Sequence, residues 1–203
     1  MSNKNEKIQD YFNILLIGDP NVGKTSILER YCNNRFLTYK YNNTLSQIYK
    51  KFINQNTLYI GLKFWDINFN EKFFKLYKTI YERSDIIIFI CSFDNRKSLD
   101  NINIWYQNLL NNIDLSSKLM VLFANKNDLD KKEFNSDNLI FKADSLKLKC
   151  FEMSAKNNIN IQESFDKLIN DILINNVLFK IKNNIRLKIE KDNDNNKGNN
   201  CVN

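Results

Sequence analysis

The stretch Gly18-Asp19-Pro20-Asn21-Val22-Gly23-Lys24-Thr25 constrains this chain more than any other. It fits G-x-x-x-x-G-K-[ST], the pattern of a loop that cradles phosphate. An apolar run, Ile14-Leu15-Leu16-Ile17, comes just before it, and a helix-like run, Ser26-Ile27-Leu28-Glu29-Arg30-Tyr31, comes just after. Strand, tight loop and helix start are what phosphate capture needs. Backbone N–H groups turn inward on the oxygens, and the helix dipole adds positive potential. Asp19, Asn21, Val22, Gly23, Lys24, Thr25 and Ser26 are therefore candidate nucleotide-binding residues. Gly23 lets the backbone approach closely, Lys24 would reach the terminal phosphates, and the Thr25 hydroxyl would hold Mg²⁺. By itself the loop specifies a nucleotide but not its base.

The rest of the chain supplies the strands and helices such a loop requires. Tyr11 to Ile17 reads as the first strand and residues 25–33 as the first helix. Asn34 to Asn43 is polar and aromatic without an apolar period, and so long a loop in a compact domain is usually functional. Leu45–Ile53 and Leu58–Asp66 read as strands joined by the turn-like Asn54-Gln55-Asn56-Thr57, which predicts a hairpin. Residues 67–83 are roughly helical in period. Ile86-Ile87-Ile88-Phe89-Ile90-Cys91 is the continuous apolar run of a strand covered on both faces. Arg96–Asn111 predicts an amphipathic helix, Leu119–Ala124 a buried strand, Leu139, Ala143 and Leu146 a helix, and Cys150–Met153 a short strand. Ile161, Phe165, Leu168, Ile169, Ile172 and Leu173 form the clearest helical stripe. Alternating strands and helices predict a three-layer α/β fold of the P-loop NTPase kind. It should hold a mostly parallel six-stranded sheet, one antiparallel edge hairpin, and helices on both faces. Ligands in such sheets bind at the carboxyl ends of the strands.

Composition narrows the setting. The 203 residues suffice for one domain, expected over 11–180, between a polar N-terminus (1–10) and a disordered basic tail (181–203). No run of about 18 apolar residues exists, so no membrane span is expected. Met1 to Glu6 has no apolar h-region, which argues against a signal peptide, and Ser2 argues against N-myristoylation. Cys32, Cys91, Cys150 and Cys201 have no metal-site spacing, and the chain reads as cytosolic and reduced. It contains no histidine, the usual general base. The net charge of +7 lacks a basic helix or basic–aromatic motif, so no nucleic-acid partner is expected. From Lys180 on, six basic and three acidic residues leave the tail at +3.

Two further motifs choose the base. Asn125-Lys126-Asn127-Asp128 follows the strand ending at Ala124. Asp128 can accept from two N–H groups on one purine edge, which guanine offers and adenine does not. Asn125 can tie this loop to the phosphate loop, and the Lys126 stem can lie on the base. Ser154-Ala155-Lys156 follows the next strand, and its backbone can contact the base carbonyl.

Phosphate loop, N-K-x-D and S-A-K, in that order and each after a strand, resemble the small GTPases of the Ras superfamily. Phe64-Trp65-Asp66, with Glu71-Lys72-Phe73 a few residues on, is most similar to Rab proteins. The resemblance covers about Tyr11 to Val177. It implies GTP/GDP and Mg²⁺ as cofactors, with Thr25 and Thr44 as Mg²⁺ ligands and Asp66 holding Mg²⁺ through water. It further implies Phe36 stacked on guanine, a first switch over 36–48 and a second over about 66–82. Its partners would be effectors, an exchange factor and a GTPase-activating protein, in membrane traffic, with the chain a monomer.

The second switch departs from the family. Rab proteins usually read W-D-T-A-G-Q-E; this chain reads Trp65-Asp66-Ile67-Asn68-Phe69-Asn70-Glu71. Phe69 replaces the glycine whose N–H meets the γ-phosphate, and Phe tolerates fewer φ/ψ combinations. Asn70 stands in the water-orienting position, one methylene shorter than glutamine. With Lys24 it makes up the candidate catalytic set. Pro20, without an N–H, and Asn21 stand where small residues are usual, and Leu45 and Ser46 replace isoleucine and glycine. Cys201 is third from the end, so no C-a-a-X box forms. Lipid modification of Cys201, giving peripheral membrane association with the basic tail, and a plain tail cysteine both stand open. Two functions also remain open: a switch that hydrolyses GTP slowly, and a nucleotide-bound scaffold with negligible hydrolysis.

Overall fold

A computed structural model describes residues 10–37, 46–55, 58–67 and 74–174. The chain divides into two units, Met1–Ile161 and Gln162–Asn203. The first carries β1 (Asp10–Ile17), α1 (Lys24–Asn33), β2 (Ser46–Gln55), β3 (Leu58–Ile67), α2 (Phe74–Arg83) and β4 (Ile86–Ser92). It continues through α3 (Arg96–Asp100), α4 (Ile102–Leu110), β5 (Leu119–Asn125), α5 (Ser136–Ser145) and β6 (Lys149–Glu152). In the second unit a helix is described to residue 174, with Phe165, Leu168, Ile169 and Ile172 buried.

The six strands form one sheet in the order β2-β3-β1-β4-β5-β6. β2 and β3 pair antiparallel, Ser46 opposite Ile67 and Gln55 opposite Leu58; the other neighbours pair parallel. This is the mostly parallel sheet with an antiparallel edge hairpin that the sequence predicts. β4 lies at the centre, and every residue of it is buried. That accounts for its unbroken apolar run, since a strand covered on both faces has no solvent side to alternate with.

Alternation along the strands fills two layers. Phe64 on β3 meets Tyr31 of α1 ring to edge, with centroids 5.7 Å apart. Leu15, Ile17 and Ile67 turn the other way, into a cluster with Tyr77 and Tyr81 of α2, Leu99 of α3, Trp105 and Leu109 of α4, and Leu139 of α5.

Two predicted helices differ: of the one expected over 67–83, Ile67 belongs to β3 and α2 is described over Phe74–Arg83. Arg96–Asn111 is two pieces meeting at Asn101, whose backbone is still helical (φ −67°, ψ −14°). Asn101 N–H donates to Lys97 O at 2.9 Å and Trp105 N–H to Asn101 O at 3.0 Å, so the path continues through the junction. The Asn101 side chain is drawn instead to Asp19 of the phosphate loop, at 2.7 Å. All the motif loops leave the same edge of the sheet. The phosphate loop follows β1, Asp66 is the last residue but one of β3, N-K-N-D begins at the last residue of β5 and S-A-K follows β6. That is the carboxyl edge, where α/β sheets hold ligands.

Candidate nucleotide site

The phosphate loop is fixed by two tight backbone positions. Gly23 caps α1 at φ +96°, a region that L side chains rarely adopt, and a Cβ there would lie 2.2 Å from Asn125 Nδ2. A Cβ on Gly18 would lie 2.1 Å from Ile90 O, so this strand end fits only glycine. Asn21 takes φ +65°, in the left-handed region that asparagine visits more readily than most residues. The glycine usual at that position is thus replaced by a residue that can keep a left-handed turn.

Lys24 is 7% exposed, and its Nζ donates to Gly18 O at 2.8 Å and Asp19 O at 2.9 Å. The ammonium is thereby folded back over the loop it serves. Burial lowers its pKa, and the carboxylates of Asp66 and Asp19 work against that shift. Asp19 is itself buried, and its carboxylate accepts from Trp105 Nε1 at 2.9 Å and Asn101 Nδ2 at 2.7 Å. The loop is therefore braced from beneath by α4 and the residue before it. Neither brace stood out in the sequence, because an Asn and a Trp in an amphipathic helix read as surface and core.

Thr25 Oγ1 donates to Asp66 Oδ2 at 2.5 Å. Burial raises the Asp66 carboxyl, while the Thr25 hydroxyl and the Lys24 charge pull it down. A hydroxyl and a buried carboxylate in contact, beside a lysine, form an all-oxygen donor pair, the chemistry a hard cation such as Mg²⁺ takes. The residues present thus fit the metal. Thr44, the other proposed ligand, lies outside the described residues, as do Phe69 and Asn70.

At the base end Asn125 is 2% exposed. Its Nδ2 donates to Val22 O at 3.0 Å, and its Oδ1 accepts from Ala155 N–H at 3.1 Å. One amide thus joins the phosphate loop, N-K-N-D and S-A-K. Asn127 N–H donates to Met153 O, holding the two base loops side by side. Asp128 Oδ1 accepts from Ser154 Oγ at 2.5 Å, and Lys156 Nζ stands 3.9 Å from its other oxygen. Lys126 Nζ pairs with Asp94 at 2.8 Å, which holds the lysine stem in place. Ser26, Phe36, Asn125, Lys126, Asp128, Leu129, Ala155 and Lys156 line one cleft of about 130 Å³. Seven of these eight carry sequence motifs or family resemblance; Leu129 does not.

Arg30 is a further residue that the motifs did not flag. Its Nε donates to Ala155 O at 2.9 Å and its Nη2 to Lys156 O at 3.1 Å. It ties the end of α1 to the S-A-K loop. A single arginine in a helix carries no local sign of that role.

The sequence model of the Ras family matches residues 13–174. The chain is similar to the Ras-related protein RabH of Dictyostelium discoideum, 32% identical over 93% of this chain and 94% of the relative. It is also similar to the Ras-related protein Rab-32D of the same organism, 34% identical over 79% and 73% of the two chains. The Ras-related protein Rab-8B of Bos taurus is 32% identical over 82% and 81%. Family match, sheet order and the three motif loops on one edge agree: the chain belongs to the Ras family, as a Rab-like small GTPase.

Proposed function

We propose that the chain is a switch that binds GTP and GDP with Mg²⁺ and hydrolyses GTP slowly. The observation that carries this reading is the Asn125 amide joining three loops around a cleft that presents the Asp128 carboxylate. A carboxylate there accepts from the N–H groups on one edge of guanine, while adenine offers no matching pair. Ala155 N–H meets Asn125 Oδ1 at 3.1 Å, and the backbone of Ser154-Ala155-Lys156 would contact the base carbonyl. Phe36, on the cleft wall, would stack on the base.

On the phosphate side, Lys24 would neutralise the terminal phosphates, and Thr25, Thr44 and Asp66 would hold Mg²⁺. When bound, the metal supplies charge that offsets the charge on the β- and γ-phosphates. The chain's own part in hydrolysis is positioning. Asn70 can hydrogen-bond a water, but from one methylene further back than glutamine. Misplacement by about 1 Å costs on the order of 10²-fold. The GTP-bound form would recruit effectors in vesicle traffic. An exchange factor and a GTPase-activating protein would set the cycle, and the basic tail and Cys201 would bring the chain to an intracellular membrane from the cytoplasm. Domain limits of 11–180 and a monomeric state belong to the same reading.

Phe69 and Asn70 favour a second reading, a nucleotide-bound scaffold with negligible hydrolysis. Single-turnover GTP hydrolysis, with and without Mg²⁺, separates the two. A slow, Mg²⁺-dependent rate that rises in Phe69→Gly with Asn70→Gln supports the slow switch. No measurable turnover in wild type supports the scaffold. A wild-type rate equal to the double variant's would make both departures neutral.

A further inference from the structure

α1 buries Ile27, Leu28 and Tyr31, as its helical period requires. It also buries Glu29, a charged residue that is 2% exposed. A carboxylate in such a place must be satisfied, and three side chains satisfy it. Oε2 accepts from Asn33 Nδ2 at 2.9 Å and Arg35 Nε at 2.7 Å. Oε1 accepts from Tyr49 OH at 3.0 Å and from Arg35 Nη2 at 3.4 Å. The donors come from two places. Asn33 and Arg35 mark the exit from α1, just before Phe36 on the cleft wall, and Tyr49 is the fourth residue of β2. One carboxylate therefore grips the chain on both sides of the segment that joins α1 to β2.

Stability alone does not call for this arrangement. Replacing a buried charged group and its buried partner by well-packed apolar side chains is often neutral or stabilising, so Leu and Phe in place of Glu29 and Tyr49 would serve the core as well. What the charged group adds is direction: it accepts only where Arg35 and Tyr49 place their donors. We propose that Glu29 is a positioning residue that clamps both flanks of the first switch and thereby slows release of bound guanine nucleotide. The effect on release rests on the guanine-nucleotide reading given above; the clamp itself does not.

The test uses the full chain with Glu29→Leu and Tyr49→Phe combined, which removes the polar contacts while keeping apolar bulk. Three quantities are measured: the melting temperature, the release rate of a fluorescent GDP analogue, and hydrogen exchange in peptides covering 34–37 and 46–50. The double variant should melt within a few degrees of wild type. It should release the analogue about tenfold faster, the size that coupling within a buried network commonly reaches. Exchange should quicken at both flanks together. Should the double variant not fold, Glu29→Gln replaces it, since it keeps the shape and weakens the Arg35 pairing. Its release should be faster in the same sense, by a smaller factor. A folded variant with wild-type release and wild-type exchange at both flanks overturns the clamp. If wild type itself does not take up the analogue, the nucleotide reading fails, and exchange at the flanks still decides the clamp.

Discussion

Asn125 and Glu29 are each 2% exposed, and each ties separate segments together, but they do so with different partners. Asn125 is neutral. It spends a donor on Val22 O and an acceptor on Ala155 N–H, both main-chain groups. Glu29 is charged and depends on side chains, one of which, Arg35, is 53% exposed. Main-chain partners cannot be substituted away and need no side-chain ordering to meet. Side-chain partners can let go, and each carries rotamer entropy. The Asn125 junction is thus held through main-chain groups, whereas the junction across the segment between α1 and β2 rests on side chains that can exchange partners. Under the proposed function that division suits the site, because the base contacts are the same with GDP and GTP while the first switch must change.

Breaking the base end should give the larger effect. Asn125→Ala strands a buried Val22 carbonyl and a buried Ala155 N–H, at roughly 1–3 kcal/mol for each group left unpaired. Affinity for GDP and GTP should fall by about 10²-fold or more, equally for both nucleotides, as titration calorimetry would read. A loss confined to GTP would mean that Asn125 serves the γ-phosphate and not the loop junction.

The first-switch end should respond less, and in a pH-dependent way. Burial pushes the Glu29 carboxyl up, but hydrogen bonds from Arg35, Asn33 and Tyr49 together outweigh it and leave the group below its ordinary value of 4.5. A carboxyl lowered by folding adds stability above its unfolded pKa and loses that contribution as pH falls through the folded one. Glu29→Gln should therefore be less stable than wild type by about 1–2 kcal/mol at pH 7. The gap should narrow as pH drops below 4.5 and close as it falls through the lowered folded value. Denaturant titrations at several pH values check this, and a gap that does not change with pH would mean the charge contributes nothing.

Much of the frame was legible because its signals are local. Gly18 to Thr25 lies on consecutive residues, β4 is an unbroken apolar run, and the β2–β3 hairpin is signalled by the turn-like Asn54 to Thr57, although Asn54 and Gln55 belong to β2. N-K-N-D and S-A-K were legible for the same reason. The braces were not, because their partners are far apart in sequence. Asp19 meets Trp105 across 86 positions, and Arg30 meets Ala155 across 125. Glu29 stands in the helix-like run from Ser26 to Tyr31, where nothing local distinguishes a buried glutamate from a solvated one. Asn101, at the junction of α3 and α4, likewise spends its side chain on a distant loop.

Base choice by Asp128 is the central claim, and competition binding tests it most directly. GDP and ADP would be titrated against a bound fluorescent guanine nucleotide, on wild type and on Asp128→Asn. Asn turns one acceptor of the carboxylate into a donor, so a buried guanine N–H faces another N–H. The account predicts that wild type takes GDP and rejects ADP by at least about 10³-fold, and that Asp128→Asn loses several kcal/mol of GDP affinity. GDP affinity unchanged by Asp128→Asn, or ADP competing as well as GDP, would contradict it.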